Sequence, residues 1–146
     1  MMKPYESVIV RKTFILILVM CLTGASKLMA VDNLRCEMVT DPMGIDITTP
    51  RLSWELNDKG RNVMQTAYRI LVASTMDKLK PGKADLWDSG EVSSDNSTYI
   101  PYGGVALKSR MTCYWKVCVT TNKGKSEWSK HARWTMGLLD GGEWKA

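Results

Sequence analysis

Apolar and polar residues alternate along much of the chain beyond residue 33, which is the pattern of β-strands with one buried face. The clearest alternating stretch is 112–120, and its predicted inward residues are Cys113, Trp115, Val117 and Val119. Its predicted outward residues are Tyr114, Lys116, Cys118 and Thr120. An alternation of this length predicts a central strand that gives bulky side chains to one core.

Shorter alternating stretches predict further strands at 34–38, 50–56, 67–74, 97–102 and 131–136. Their predicted inward residues are Leu34, Cys36, Met38, Leu52, Trp54, Leu56, Tyr68, Ile70, Val72, Ala132, Trp134 and Met136. The outward residues of the second of these strands are Arg51, Ser53 and Glu55. In the third, Leu71 and Ala73 share a face with Arg69, so we expect that face to be partly covered.

Turn signals separate these stretches, because each gap holds glycine, asparagine or aspartate, which supply positive φ angles or local caps. The one helix candidate is a single turn at 75–79. Six or seven short strands in about 110 residues are typical of an all-β sandwich. We therefore predict an all-β sandwich of about seven antiparallel strands over residues 31–139. Its predicted core is built on Trp54, Trp115 and Trp134.

The first thirty residues have the composition of a secretory signal peptide, in which basic residues precede an apolar run and small residues follow it. The run, 14–22, is shorter than the roughly 20 residues of a membrane-spanning helix, so we expect no membrane association after leader cleavage. Cleavage after Ala25 and cleavage after Ala30 both stay open. Acylation at Cys21 is a less favoured alternative because Met20 is bulky. The predicted location is the periplasm or the extracellular medium.

Charge excludes a nucleic-acid partner. The net charge is +5, of which residues 1–30 carry +3, so residues 31–146 carry +2. That remainder is scattered, whereas nucleic-acid binding requires a basic stripe or patch. The 45% hydrophobic and 24% charged content is that of a globular protein and excludes a disordered or fibrous chain.

Three cysteines follow the predicted leader, and export would make disulfides chemically allowed. Cys113 and Cys118 lie five residues apart in one strand, so they point to opposite faces and do not bridge each other. A bridge between Cys36 and Cys113 stays open, and buried free thiols are the favoured alternative. No CxxC motif or Cys/His cluster is present, so we predict neither a metal nor a cofactor.

The alternation at 113–119 and the serine-rich edge at 126–129 resemble the end of a fibronectin type III-like sandwich, which implies a fibronectin type III or immunoglobulin-like fold for the predicted sandwich. The tyrosine that this resemblance places near the start of the strand is replaced by Cys113, with Tyr114 one residue along. A hydroxyl that ties down the corner is therefore either missing or supplied from the neighbouring face.

A more specific resemblance rests on six segments in a fixed order: 34–37, 42–46, 50–54, 65–74, 86–92 and 114–117. Together they are similar to the N-terminal sandwich of bacterial α-L-rhamnosidases of glycoside hydrolase family 78, over residues 34–146. The resemblance implies a large exported enzyme that inverts α-L-rhamnosides with carboxylates on a later helical-barrel domain. It also implies that residues 140–146 begin a linker to downstream domains, which this chain lacks and which would be its partners.

No residue of this chain is expected to be catalytic. Three carboxylate pairs are close in sequence, namely Asp41 with Asp46, Glu55 with Asp58, and Asp85 with Asp88. All lie in or beside turns, where aspartate usually caps backbone groups. A filled sandwich leaves no cleft for two carboxyl groups about 6.5–9.5 Å apart, the separation that inverting hydrolysis requires. The single histidine, His131, is predicted to face solvent.

Aromatic residues outside the predicted core are the candidates for sugar contact, because indole and phenol rings stack on the apolar faces of sugars. They are Trp87, Tyr99, Tyr102 and Trp128. Their predicted ligands are rhamnose-containing glycans. The alternative is that Trp87 and Trp128 cover sheet edges or dock onto a following domain.

Two functions from different classes therefore remain, since a fold alone does not assign a function. The first is a non-catalytic accessory module at the N-terminus of an exported α-L-rhamnosidase, in which this chain alone has no activity. The alternative is a free-standing exported module that binds a carbohydrate or a protein. A small enzyme in its own right is disfavoured because no catalytic pair is predicted.

Overall fold

The computed structural model describes residues 29–143, within which nine strands follow one another along the chain. They are β1 (Ala30–Cys36), β2 (Arg51–Asn57), β3 (Gln65–Ala73), β4 (Trp87–Asp88), β5 (Val92–Ser93), β6 (Ile100–Pro101), β7 (Thr112–Thr121), β8 (Gly124–Lys125) and β9 (Ala132–Thr135). Two short 3-10 turns lie at Met76–Lys78 and Gly141–Glu143. Within this part of the chain no helix is long and apolar enough to cross a membrane. Residues 1–28 of the predicted signal peptide lie outside the described residues.

The strands form two sheets with antiparallel pairing between their strands. One sheet has the order β1-β2-β6. In the other, β3 and β7 pair along most of their length, β4 and β5 pair with β3, and β8 and β9 pair with β7. One cluster of buried side chains from both sheets fills the space between them. The predicted all-β, immunoglobulin-like sandwich is therefore confirmed.

Three tryptophans form the centre of that cluster. Trp54, Trp115 and Trp134 are exposed by 1%, 0% and 0%. Trp54 packs edge-on against Tyr68 with 5.1 Å between ring centroids, a favourable geometry for aromatic pairs. The core residues predicted from the alternation in 112–120 are all buried, and so are those predicted in 131–136.

The first strand leaves its sheet after Cys36, and its continuation pairs with the other sheet. Met38 has a φ angle of 64°, and residues 42–45 then run parallel to β9. The Ile45 N–H donates to the Thr135 carbonyl at 2.9 Å, which covers the edge of β9. The prediction of an inward Met38 is wrong, because the strand ends at Cys36 and Met38 is 37% exposed in the turn.

The outer face of the second sheet is also covered, as expected from Leu71 and Ala73. Both are fully buried beneath the segment that follows β3, where Leu79 is 4% exposed. The helical turn predicted at 75–79 is a 3-10 turn of three residues, Met76–Lys78.

Three further predictions from the sequence differ from the structure. Cys118 lies on the outer face as predicted but is only 2% exposed, and its cross-strand neighbour Arg69 forms an ion pair with Asp88 at 2.7 Å. Ser53 is buried because the segment before β6 lies against it, and its Oγ accepts the Tyr99 N–H at 3.0 Å. Of the predicted strand 97–102, only Ile100–Pro101 is a strand of the sheet.

The cysteines of the described residues are free and buried. This decides between the two alternatives left by the sequence. Cys36 and Cys113 both belong to the main core and do not form a disulfide.

The chain enters and leaves the sandwich at opposite ends. Ala30 begins β1 opposite Asn57, the last residue of β2. Thr135 ends β9 opposite Thr112, the first residue of β7. We call the second of these ends the exit end. Three segments lie there: the loop before β2, the loop between β6 and β7, and residues 137–140.

Candidate functional site

Tyr102 belongs to the main core, so its prediction as an aromatic residue outside the core is wrong, and Trp87 packs against it with ring centroids 5.5 Å apart. Tyr102 is 6% exposed, and its hydroxyl lies 2.8 Å from the Val105 carbonyl oxygen and 3.1 Å from that of Leu86. Burial raises the pKa of the Tyr102 hydroxyl, so it remains a protonated donor. A tyrosine hydroxyl therefore ties down a loop of the sandwich, and it comes from the residue after β6 rather than from β7.

Tyr99 lies beside β2 on the first sheet and is 49% exposed. The Arg51 guanidinium carbon lies 4.8 Å from its ring centroid, and Arg51 in turn pairs with Glu37 at 2.7 Å. Hydrogen bonds from Arg51 lower the pKa of the Glu37 carboxyl, which stays charged. Tyr99 also has a φ angle of 55°, a left-handed conformation that a bulky residue adopts at a cost.

Trp128 covers the outer face of the second sheet. Its half-buried ring packs against the cluster formed by Leu71, Ala73 and Leu79. The Lys116 Nζ lies 5.0 Å from the ring centroid, which is within cation–π range. Burial of Lys116 lowers its pKa.

The structure does not gather these four aromatic residues on one surface. Tyr102 lies in the main core and Trp87 packs against it, Trp128 covers the outer face of the second sheet, and Tyr99 lies beside the first sheet. Sugar contact by these residues stays a prediction. Among the four, Tyr99 offers the largest exposed fraction to a ligand.

Asp85 and Asp88 are held by hydrogen bonds that stabilise their charged forms. Asp88 accepts two from Arg69, at 2.9 and 2.7 Å, and these lower the pKa of its carboxyl. Burial would raise the pKa of Asp85, but hydrogen bonds from Ser74 and Lys78 outweigh it and lower the pKa to about 2. Since a general acid in glycoside hydrolysis needs a raised pKa, neither carboxyl has the required property.

The other candidate carboxylates lie at the surface. Asp41 accepts a backbone N–H at 2.9 Å, Asp58 accepts one at 2.6 Å, and Glu55 accepts from two side chains at 2.7 and 2.9 Å. Asp46 and His131 are exposed. Across residues 29–143, no three His, Cys, Asp or Glu side chains are grouped in a way that would hold a metal ion.

Two adjoining cavities open at the exit end. The first, of about 290 Å³, lies between the chain before β2 and the loop after β6. The second, of about 520 Å³, lies between that loop and the departing chain at Leu139. Thr48 and Leu107 line both, so the two form one groove. We call Ile47, Thr48, Val105, Leu107 and Leu139 the exit face.

The loop that carries Val105 is fixed in place. The Val105 N–H donates to the Leu86 carbonyl at 2.9 Å, and the Val105 carbonyl accepts from the Tyr102 hydroxyl. At Gly104 a Cβ atom would collide with the Leu86 carbonyl oxygen and the Tyr102 hydroxyl. Only glycine lets the backbone approach this closely.

The departing chain is held on both sides as far as Leu139. The Gly137 N–H donates to the Ile45 carbonyl at 2.7 Å, and the Gly137 carbonyl accepts the Arg110 N–H at 3.1 Å. The Leu139 N–H donates to the Ser109 Oγ at 2.9 Å. The direction in which the chain leaves the sandwich is therefore set by hydrogen bonds to two neighbouring segments.

Sequence reasoning did not select the exit face. Val105 and Leu139 lie outside every alternating stretch, and Val105 follows the pair Gly103 and Gly104, which is typical of a turn. The available signal was an apolar residue directly after a turn at which polar residues are usual.

Residues 31–140 match the family described as Rha78A-like, N-terminal immunoglobulin domain. The chain belongs to this family. The domain is 40% identical over 111 residues to an α-L-rhamnosidase of Streptomyces avermitilis, covering 75% of this chain and 11% of that protein. It is 39% identical over 114 residues to an α-L-rhamnosidase of Formosa agariphila, covering 77% of this chain and 12% of that protein. The chain thus spans about a tenth of the length of these relatives.

Solved structures give the same relationship. The structure of the Streptomyces avermitilis α-L-rhamnosidase complexed with L-rhamnose matches with a TM-score of 0.76 and 38% identity, covering 81% of this chain and 11% of that chain. The α-L-rhamnosidase from Dictyoglumus thermophilum matches with a TM-score of 0.76 and 33% identity, covering 80% of this chain and 13% of that chain.

Proposed function

We propose that this immunoglobulin-like domain is a non-catalytic accessory module at the N-terminus of an exported α-L-rhamnosidase. The observation that carries the proposal is the family match over residues 31–140, to relatives of which the chain spans 11–12%. Hydrolysis would belong to the remaining length of such an enzyme. The basic and apolar pattern of the first thirty residues supports export to the periplasm or the medium.

The chemistry of the carboxylates supports a non-catalytic role. Glycoside hydrolysis requires one carboxyl that is protonated near neutral pH and a second that is charged. Asp85 and Asp88 both have lowered pKa values, because Asp85 accepts hydrogen bonds from Ser74 and then Lys78, and Asp88 accepts them from Arg69. The space between the sheets is filled by Trp54, Trp115 and Trp134.

The test begins with the coding frame beyond Ala146, which we expect to continue into a polypeptide that hydrolyses an aryl α-L-rhamnoside. In that polypeptide, Asp85→Asn and Asp88→Asn should each leave kcat nearly unchanged, because removal of a true general acid costs about 100-fold or more. A stop codon followed by an unrelated gene would refute the proposal. A 100-fold loss of kcat in a folded Asp85→Asn or Asp88→Asn variant would refute it as well.

A second candidate function, contact with rhamnose-containing glycans, is favoured by the position of Tyr99. Its ring is half exposed and is held by Arg51, so a sugar would meet a preordered aromatic surface. Titration calorimetry with a rhamnose-containing oligosaccharide should show binding that Tyr99→Ala abolishes and Tyr99→Phe retains. Equal binding by Tyr99→Ala and the unsubstituted chain would exclude this site.

A further inference from the structure

We infer that the exit face is the surface on which the next domain of the same polypeptide packs. The inference rests on the proposed function, because its occupant is the domain that would follow the departing chain in a rhamnosidase. Lys108 and Asp140 lie at the rim of the groove. The partner surface should therefore be apolar at its centre and carry charges of both signs at its edge.

The position of the exit face favours this occupant over others. The described chain leaves the sandwich beside the groove, since Leu139 lines it. A domain joined through residues 140–146 is tethered within a short chain length of the groove, which gives it a high effective concentration there. The chain enters at the opposite end, at Ala30, so a preceding segment is not tethered near this surface.

The composition of the exit face fits a packing surface. Val105 is 52% exposed and Ile47 is 42% exposed, and they lie in the two loops that border the first cavity. Leu107, which is 7% exposed, forms part of the floor of both cavities. Apolar side chains exposed around a concave surface are typical of an interaction site.

The exit face is also held in one conformation before any partner arrives. Val105 is fixed through the carbonyl of Leu86 and the hydroxyl of Tyr102, and Leu139 is fixed through the hydroxyl of Ser109. A surface that is already ordered loses little conformational entropy when a partner packs on it. The departing chain would therefore present the next domain in a defined orientation.

The experiment compares the longer polypeptide with the 146-residue chain by amide hydrogen exchange in residues 103–109. Packing of the next domain should slow exchange there by about tenfold or more, since each 1.4 kcal/mol of added stability is a factor of ten. In the longer polypeptide, Val105→Asp should remove this protection. Val39→Asp, at a residue with the same side chain and 53% exposure that lines neither cavity, should retain it. Ile47→Asp serves as a second variant at the exit face.

The outcomes separate the inference from the proposed function. A coding frame that ends at Ala146 would refute both. A longer polypeptide with rhamnosidase activity in which residues 103–109 exchange as in the 146-residue chain would refute the docking inference alone. Equal exchange rates of residues 103–109 in the Val105→Asp and Val39→Asp variants would also refute the docking inference. Sedimentation that shows the 146-residue chain as a dimer, and as a monomer after Val105→Asp, would assign the exit face to a second copy and also refute it.

Discussion

Gln65 joins three segments of the sandwich through one buried amide, so Gln65→Met tests how the core is held together. The Gln65 Oε1 accepts the Trp54 Nε1–H at 3.0 Å. Its Nε2 donates to the carbonyls of Ser94 and Asn96 at 3.1 and 2.9 Å. Methionine has a similar length and volume, so the substitution removes all three hydrogen bonds and leaves the packing nearly unchanged.

The expected loss in the free energy of unfolding depends on whether each former hydrogen-bond partner of Gln65 can bind water instead. The carbonyls of Ser94 and Asn96 lie in a partly exposed segment and can turn to water, so each lost bond costs about 1 kcal/mol. The Trp54 N–H is buried and is left without a partner, which costs about 1–3 kcal/mol more. Gln65→Met should therefore lower the free energy of unfolding by about 3–5 kcal/mol, a large share of the roughly 5–15 kcal/mol of a typical domain.

Urea unfolding followed by tryptophan fluorescence measures this loss. Thr66→Val is the matched control, because Thr66 is the exposed neighbour in β3 and its hydroxyl makes one bond of 3.3 Å. It should cost less than about 1 kcal/mol. Trp54→Phe should cost about 1–3 kcal/mol less in the Gln65→Met background than alone, since the unpaired N–H is then gone. A loss below about 1 kcal/mol for Gln65→Met, or no coupling with Trp54→Phe, would refute the reasoning.

Three smaller perturbations test other contacts. Gly104→Ala should cost about 2 kcal/mol or more in urea unfolding, because its Cβ meets two oxygen atoms that fix the loop, whereas Gly142→Ala lies in open space and should be nearly neutral. Because the pKa of Asp85 is lowered to about 2 in the folded domain, its hydrogen bonds stabilise the fold fully above about pH 5 and are lost as the pH falls through 2. Asp85→Asn should thus lower the urea midpoint near neutral pH and lose that effect in strong acid; equal effects at both would count against this assignment. Burial raises the pKa of Cys36 and Cys113 to about 12, so iodoacetamide near pH 8 should label them after unfolding only, and prompt labelling of the folded domain would contradict the buried core.

The core could be predicted from the sequence because alternation reports burial directly. Trp115 and Trp134 occupy inward positions of regular strands, so their burial follows from a period of two. Met38 shows the limit of this reasoning. The alternation continues through it, but two successive residues with positive φ angles end the strand, and no periodicity records backbone turning.

Outward positions were harder to predict, because the layer that covers them comes from distant sequence. Ser53 is buried by a segment that lies more than forty residues further along the chain, and Cys118 is buried on the sheet face where its cross-strand neighbour Arg69 pairs with Asp88. The exit face depends in the same way on three segments that meet at one end of the sandwich. The alternation within one segment carries no information about its contacts with distant segments.

A non-catalytic role is tested most directly by measuring the turnover of an aryl α-L-rhamnoside by the purified 146-residue chain. We expect no release of the aryl group above that of buffer, from a chain that is shown to be folded by tryptophan fluorescence and cooperative urea unfolding. Sustained release over many turnovers, proportional to the concentration of the chain and removed by Asp85→Asn or Asp88→Asn, would contradict a non-catalytic role.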